Sequence, residues 1–167
     1  MPMYYTASFD SPLGTIGLAC SDAGLTAAWF PSQSPFPHPA AENPEHPILR
    51  DAARWLEDYF AGKPMDPRDL PLAPAGTPFR QVIWQLLLEI PYGQATTYGA
   101  LAKEAAAILG KERMSAQAVG GAVGANPIAL IIPCHRCLGA AGRLTGYTGG
   151  LAIKRWLLTH EGIPFHE

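Results

Sequence analysis

Ile128-Ala129-Leu130-Ile131-Ile132-Pro133-Cys134-His135-Arg136-Cys137 is the stretch on which the reading of this chain turns. Five consecutive apolar residues predict a buried strand, Pro133 ends it, and a thiol follows at its mouth. The thiolate is the nucleophilic form, and a free thiol of pKa ~8.5 is only a few per cent ionised at neutral pH. An adjacent His135 and the cationic Arg136 are surroundings of the kind that lower that value. These residues alone leave an equal alternative, an inert core cysteine, because unpaired cysteine is among the most buried residue types.

The rest of the composition narrows the field. The chain has 167 residues, enough for one domain or two small ones, with 48 % hydrophobic and 16 % charged residues, a globular rather than a disordered balance. A net charge of -2 gives no global attraction to nucleic acid. Polyanion binding would therefore depend on a local patch and on backbone or helix-terminus contacts. Three cysteines, Cys20, Cys134 and Cys137, do not make a disulfide framework. Met1-Pro2-Met3-Tyr4-Tyr5 lacks the basic and apolar regions of a signal peptide, and no apolar stretch approaches the ~18 residues needed to span a bilayer. A reducing cytoplasm, where a reactive thiol survives, is the expected location.

Outward from the thiol, the chain divides in two. Tyr4–Phe9, Thr15–Cys20 and Leu25–Phe30 predict a β-meander, joined by Ser11-Pro12-Leu13-Gly14 and by Asp22-Ala23-Gly24. Six prolines between Pro31 and Pro47 predict a loop with little regular structure. Ile48–Ala61 carries Leu49, Ala52, Ala53, Leu56 and Phe60 on one helical face, with Gly62 behind it as a C-terminal stop. A second proline-rich stretch, Pro64–Pro74, reads as a linker, which gives domains at 1–70 and 71–167. Beyond it the pattern is helical. Thr77, Thr97 and Ser115 read as N-caps, with Pro78 at a first helical position. A last helix runs from Leu151 to His160, apolar at Ile153, Trp156 and Leu157. Two short helices around a turn, the second made of Ala, Val and Gly, fit a helix-turn-helix as well as plain helical packing. Trp29, Trp55, Trp84 and Trp156 all read as core.

Thr77-Pro78-Phe79, Ile90-Pro91-Tyr92-Gly93, Tyr98-Gly99-Ala100-Leu101-Ala102, Ala118-Val119-Gly120-Gly121 and Asn126-Pro127 resemble segments of the O(6)-alkylguanine-DNA alkyltransferases, the methylated-DNA–protein-cysteine methyltransferases. Ile132-Pro133-Cys134-His135-Arg136, Gly146-Tyr147-Thr148-Gly149-Gly150 and Leu157-Leu158-Thr159-His160-Glu161-Gly162 extend the likeness in order over roughly residues 77–162. The resemblance implies an α+β protein. A small N-terminal α/β domain of ribonuclease-H-like fold precedes a mainly helical catalytic domain that is winged helix-turn-helix-like. It also implies a single-turnover transferase that carries the alkyl group of O6-alkylguanine, and of O4-alkylthymine as a second substrate, to Cys134, without cofactor or metal. The implied partner is double-stranded DNA containing alkylated guanine. A protein of this type needs no protein partner and is expected as a monomer, with no role for a membrane.

Position by position, the resemblance makes His135 the base that takes the thiol proton through a water, Glu161 its orienter, and Asn126 the residue fixing the active-site turn. Tyr98 would donate to the leaving guanine. Tyr147, Thr148, Gly149 and Val123 would hold the flipped base, and Ser115, Gln117, Ala118, Gly121 and Arg136 would meet the DNA. The helix Ala116–Gly124 would enter the minor groove, with a side chain filling the vacated stack. Two positions depart from the family pattern: Gln117 stands where an arginine finger is common, and Cys137 where valine usually follows. Cys137 creates a Cys-x-x-Cys and with it a rival, a thiol–disulfide redox protein using Cys134 and Cys137. The rival expects a long helix after the motif, whereas Leu138-Gly139-Ala140-Ala141-Gly142 reads as a turn. A second rival, a binder of alkylated DNA that transfers nothing, is opposed by Cys134, which non-transferring relatives replace. Structural zinc would need four ligands, and Cys20 with His38 or His46 is a poor start.

Overall fold

The computed structural model describes residues 3–167; Met1 and Pro2, which open both the expected first domain and the stretch read for a leader, lie outside the described residues. The chain forms two compact units, residues 1–75 with 127–131, and residues 76–126 with 132–167.

In the first unit, alternating side chains and tight turns produce β1 (Tyr5–Ser11), β2 (Gly14–Ser21) and β3 (Gly24–Trp29) as an antiparallel meander. The expected loop of 31–47 holds one short strand, β4 (Ala41–Glu42), which pairs in parallel with β1 and gives the order β3-β2-β1-β4. Helix α1 (Pro47–Phe60) lays Leu49, Ala52, Trp55, Leu56 and Tyr59 over the sheet. Its N-cap is His46, whose Nδ1 accepts from Ile48 N–H. The stretch read as a linker is packed instead. Trp55 Nε1 donates to the Asp66 carbonyl, Leu70 is buried, and Leu25 exchanges backbone bonds with Pro71 and Ala73. The first unit therefore runs to residue 75, past the expected division at 70/71.

Residues 128–132 do not form the predicted strand. Only Ile128 makes a bridge, to Ala28, and the run then turns. Leu130 takes φ +68°, with Ile131 N–H bonded to the Ala129 carbonyl at 2.8 Å, a three-residue turn that is rare and strained for a branched side chain. The run is apolar because it is buried, not because it joins a ladder.

The second unit is built on α2 (Pro78–Leu88), then a two-residue β5 (Thr96–Thr97), α3 (Tyr98–Leu109), α4 (Ala116–Gly124), β6 (Cys137–Leu138) and α5 (Leu151–Glu161). The three expected caps are made: Thr77, Thr97 and Ser115 Oγ accept from Arg80, Ala100 and Ala118 N–H. Helices α2, α3 and α4 pack on one another around Ile83, Trp84, Leu101, Ala105, Val119 and Ala122. Strand β5 pairs in parallel with β6, on the residues that follow the thiol. Trp55 and Trp84 are core as expected, whereas Trp29 and Trp156 are only half-buried. Among the described residues no helix is long and apolar enough to cross a membrane.

Trp84 ties α2 to α4: its Nε1 donates to the Ala122 carbonyl at 2.9 Å, and a Cβ on Gly76 would stand 2.4 Å from its ring. Replacing Trp84 by Phe removes that bond and leaves a void. The unfolding free energy should fall by about 1–3 kcal/mol, read as a lower urea midpoint at unchanged slope. An unchanged midpoint would show that α4 is held without this bond.

Candidate active site

Cys134 emerges from a second tight turn. Pro133, at φ -80° and ψ 63°, is the centre of an inverse γ-turn closed by Cys134 N–H to the Ile132 carbonyl at 2.7 Å. Cys134, His135 and Arg136 then form one 3₁₀ turn, all three buried. Proline fixes the φ that starts this geometry, so the thiol is aimed by local covalent constraint.

Asn126 secures the turn from the other side. Its Nδ2 donates to the Ile132 carbonyl at 2.8 Å and to Cys134 Sγ at 3.2 Å, so one amide holds both the turn and the sulfur. Sulfur is a weak acceptor as a thiol and a strong one as a thiolate, so this bond favours the ionised form.

Glu161, the last residue of α5, organises the other end. His135 Nε2 lies 2.6 Å from Oε2, while Arg136 Nε at 2.8 Å and Gly93 N–H at 3.2 Å donate to Oε1. Burial by itself would raise the Glu161 pKa, but the His135 hydrogen bond and the Arg136 charge outweigh it and hold the group at about 2. A carboxylate only accepts, so Nε2 of His135 carries the proton and Nδ1 is left as the basic nitrogen. Nδ1 is buried and has no hydrogen-bond partner among the described residues. Burial pushes the His135 pKa down, against the opposing pull of Glu161, so the ring is neutral and able to accept a proton.

Two sequence expectations need correction here. Arg136 is not at a DNA-facing surface. It is buried, with Nε on Glu161, Nη1 on the Ile90 carbonyl at 2.7 Å, and its guanidinium 5.9 Å from the Tyr92 ring centre. Nor does the site lower the resting thiol pKa. Burial raises that of Cys134, and Asn126, Tyr147 and Lys154 only partly offset it. With Arg136 neutralised by Glu161, the thiol is protonated at rest and needs a base.

A cavity of about 280 Å³ opens onto the sulfur, lined by Tyr98, Gly120, Val123, Gly124, Cys134, Gly146, Tyr147 and Thr148. It gathers Tyr98, expected as a donor to the leaving base, and three of the four residues expected to hold the base, Val123, Tyr147 and Thr148; Gly149 is buried beside them but does not line the wall. Ser115, Gln117, Ala118 and Gly121 lie exposed on α4. A Cβ at Gly121 would meet nothing within 4 Å, so no contact within the protein requires glycine there. Burial raises the Tyr98 pKa, against a hydrogen bond from Thr145, so the phenol keeps its proton.

Lys154 was missed by the sequence reading. It is fully buried, and its Nζ donates to the Cys137 carbonyl at 2.8 Å. The signal was present: Lys154, Leu157, Leu158 and Glu161 follow a helical period and make the buried face of α5. Cys137 is a buried free thiol whose pKa burial pushes up to about 12, the reverse of a poised redox cysteine. Cys20 lies 3.5 Å from His46 Nδ1, and among the described residues no group of three or more His, Cys, Asp or Glu is placed to hold a metal ion.

Residues 78–163 match the family described as 6-O-methylguanine DNA methyltransferase, DNA binding domain, and residues 3–74 its ribonuclease-like domain. The chain is 47 % identical to the methylated-DNA–protein-cysteine methyltransferase of Methanosarcina acetivorans, covering 96 % of this chain and 99 % of that protein. It is 41 % identical to the Haemophilus influenzae protein of the same name, covering 98 % and 88 %. Among solved structures, Mycobacterium tuberculosis OGT in complex with DNA is similar at TM-score 0.82 and 41 % identity, over 96 % of this chain and 92 % of that one.

Glu161 and His135 both make the fold sensitive to acid. The Glu161 pKa is depressed in the folded state, so its stabilisation is present above the unfolded value and is lost as pH falls from about 4.5 towards 2, about 3 kcal/mol in all. The His135 pKa is also depressed, so protonation of the unfolded chain erodes stability once pH falls below about 6.5. Unfolding free energy measured against pH should therefore decline in two stages, and Glu161→Gln should abolish the lower one. A flat profile between pH 4.5 and 2.5 in the wild-type protein would contradict the charged, paired state of Glu161.

Proposed function

This chain belongs to the 6-O-methylguanine DNA methyltransferase family, and from that premise we propose that it repairs O6-alkylguanine in duplex DNA by moving the alkyl group irreversibly onto Cys134. The observation that carries this reading is the buried Cys134 thiol opening on a pocket, beside a His135 whose tautomer the Glu161 bond fixes. His135 Nδ1 takes the thiol proton through a water, and Asn126 supports the sulfur as it becomes anionic. The thiolate then attacks the alkyl carbon in line. The new S–C bond forms as the C–O6 bond breaks, and the electron pair leaves with the guanine. Tyr98 donates to the departing base as negative charge develops on it. The product is S-alkylcysteine. It has no hydrolytic exit, so each molecule acts once. The chemistry calls for no cofactor, because attachment to the base already activates the alkyl carbon.

The target atom lies inside the stack and is reached by extrusion of the nucleotide, which costs on the order of a few kcal/mol. Helix α4 is suited to the minor groove. Its exposed Ala118 and Gly121 allow a close backbone approach, and glycine in a helix interior costs about 0.5–1 kcal/mol, with no return from packing at Gly121. Gln117 enters the gap and hydrogen-bonds the orphaned base. Two domains, a small ribonuclease-like one and a helical DNA-binding one, act as a cytoplasmic monomer in this reading.

Intact-protein mass spectrometry after mixing with duplex carrying O6-methylguanine should show one added methyl group, on Cys134 alone. Cys134→Ser should bind and gain none, and His135→Ala should slow transfer by about 10²–10⁴-fold, the usual range for general-base loss. Turnover, or methylation mapped to Cys20 or Cys137, would sink the proposal.

Gln117→Ala should cost more on duplex than on free O6-methylguanine, because only the duplex leaves a hole to fill. The readout is the ratio of the two transfer rates in wild type and variant. An unchanged ratio would move the stack-filling role to another residue.

A further inference from the structure

Thr145 lies just before the Gly146-Tyr147-Thr148 wall of the pocket, and its Oγ1 donates to the Tyr98 hydroxyl oxygen at 3.3 Å. Behind it stands Lys154, whose Nζ is 3.5 Å from Thr145 Oγ1, 3.5 Å from the Gly146 carbonyl and 2.8 Å from the Cys137 carbonyl. An ammonium has three protons and no lone pair, and here three acceptors face it. The chain of bonds therefore has a direction. Lys154 can only donate to Thr145, so the Thr145 oxygen accepts and its own proton is passed on to Tyr98. The Tyr98 oxygen then accepts, and its proton cannot point back along the chain.

That proton has two places left to go, the pocket that Tyr98 lines and the sulfur of Cys137, which lies within its reach. Sulfur in a thiol is a weak acceptor, so a base arriving in the pocket takes the bond. We propose that Thr145 is a positioning residue for the transfer reaction, holding the Tyr98 hydroxyl as a donor aimed into the pocket at the departing guanine. Without the Thr145 hydroxyl, the Tyr98 oxygen loses its donor and its proton is free to rotate. Part of the population then presents a lone pair to the leaving group, and the electrostatic stabilisation of developing charge is lost in that fraction. The Thr145 bond also makes the phenol more acidic, which strengthens it as a donor.

The inference rests on the reading of Tyr98 as donor to the leaving base, and single-turnover kinetics separate the two. Transfer from duplex O6-methylguanine is followed over a range of protein concentrations, so that the binding constant and the saturating rate are obtained independently. Thr145→Val keeps the shape and removes the hydroxyl. Its saturating rate should fall about three- to tenfold, the loss of one hydrogen bond to a developing charge, with duplex affinity unchanged and the rate restored by Thr145→Ser. In a Tyr98→Phe background Thr145→Val should cost nothing further, an outcome that a packing role would not give. A wild-type rate in Thr145→Val, failure of serine to restore it, or an equal further loss on top of Tyr98→Phe would each overturn the proposal. If Tyr98→Phe itself transfers at the wild-type rate, the role of Tyr98 falls and that of Thr145 with it. If Tyr98→Phe is slow and Thr145→Val is not, only the Thr145 role falls.

Discussion

The carboxylate of Glu161 is the contact on which the site depends. It is buried, it accepts from His135, Arg136 and the Gly93 amide, and each of those bonds sets something else. The His135 bond chooses the tautomer. The Arg136 bond supplies the compensating charge that lets a carboxylate remain ionised out of water, and Arg136 reaches on to the Ile90 carbonyl before the 91–93 turn. Burying two charges is worth little net energy, but removing one partner strands the other at a cost of about 3–5 kcal/mol. Geometry is therefore enforced by penalty. The arrangement around His135 cannot relax without leaving an ion unpaired.

The same arrangement explains why a protein consumed by its own reaction is not wasted in advance. Arg136 looks in the sequence like an activator of the thiol, but its charge is spent on Glu161 and Cys134 stays protonated behind its own burial. Cys20 and Cys137 are also pushed up by burial, to about 11 and about 12. A thiol in that state is a poor target for an electrophile met at random. In the proposed reaction an alkyl carbon must be delivered into the pocket while His135 removes the proton. Selectivity then comes from access and coincidence rather than from a permanently ionised sulfur.

What could be read in the sequence followed from whether the cause was local. Thr77, Thr97 and Ser115 were legible as caps because a hydroxyl next to a helix start satisfies an amide two or three residues on, whatever surrounds it. Asn126, His135 and Glu161 were candidates only through the resemblance to the family, and the structure brings them to one place. The strand at 128–132 failed because apolarity reports burial, and burial here is reached through two successive three-residue turns. The His46 cap was invisible because histidine caps only when its ring is held, here by Asp22 at 3.0 Å. Arg136 and Lys154 failed together, since a charged side chain is expected at the surface unless its partners are known, and those partners lie 25 and 17 residues away. Trp29 and Trp156 sit on apolar faces that only half close.

Helix α5 carries the last part of this argument. Lys154 stands near its N-terminus and Glu161 at its C-terminus, each at the end where the helix dipole repels its charge, a penalty of typically 0.3–1 kcal/mol apiece. Both are also buried, which costs more. Seven residues apart, they are separated by about 10 Å along one face. Lys154 meets the Cys137 carbonyl, Thr145 and the Gly146 carbonyl at the pocket wall; Glu161 meets His135 and the Arg136 guanidinium. One rigid element thus fixes the pocket wall at one end and the His135 ring at the other. A helix optimised for its own stability would exchange the two charges or move them to the surface. That it breaks the rule twice on one buried face, with a hydrogen-bond partner waiting at each position, is what a reactive site imposes on an element that serves it.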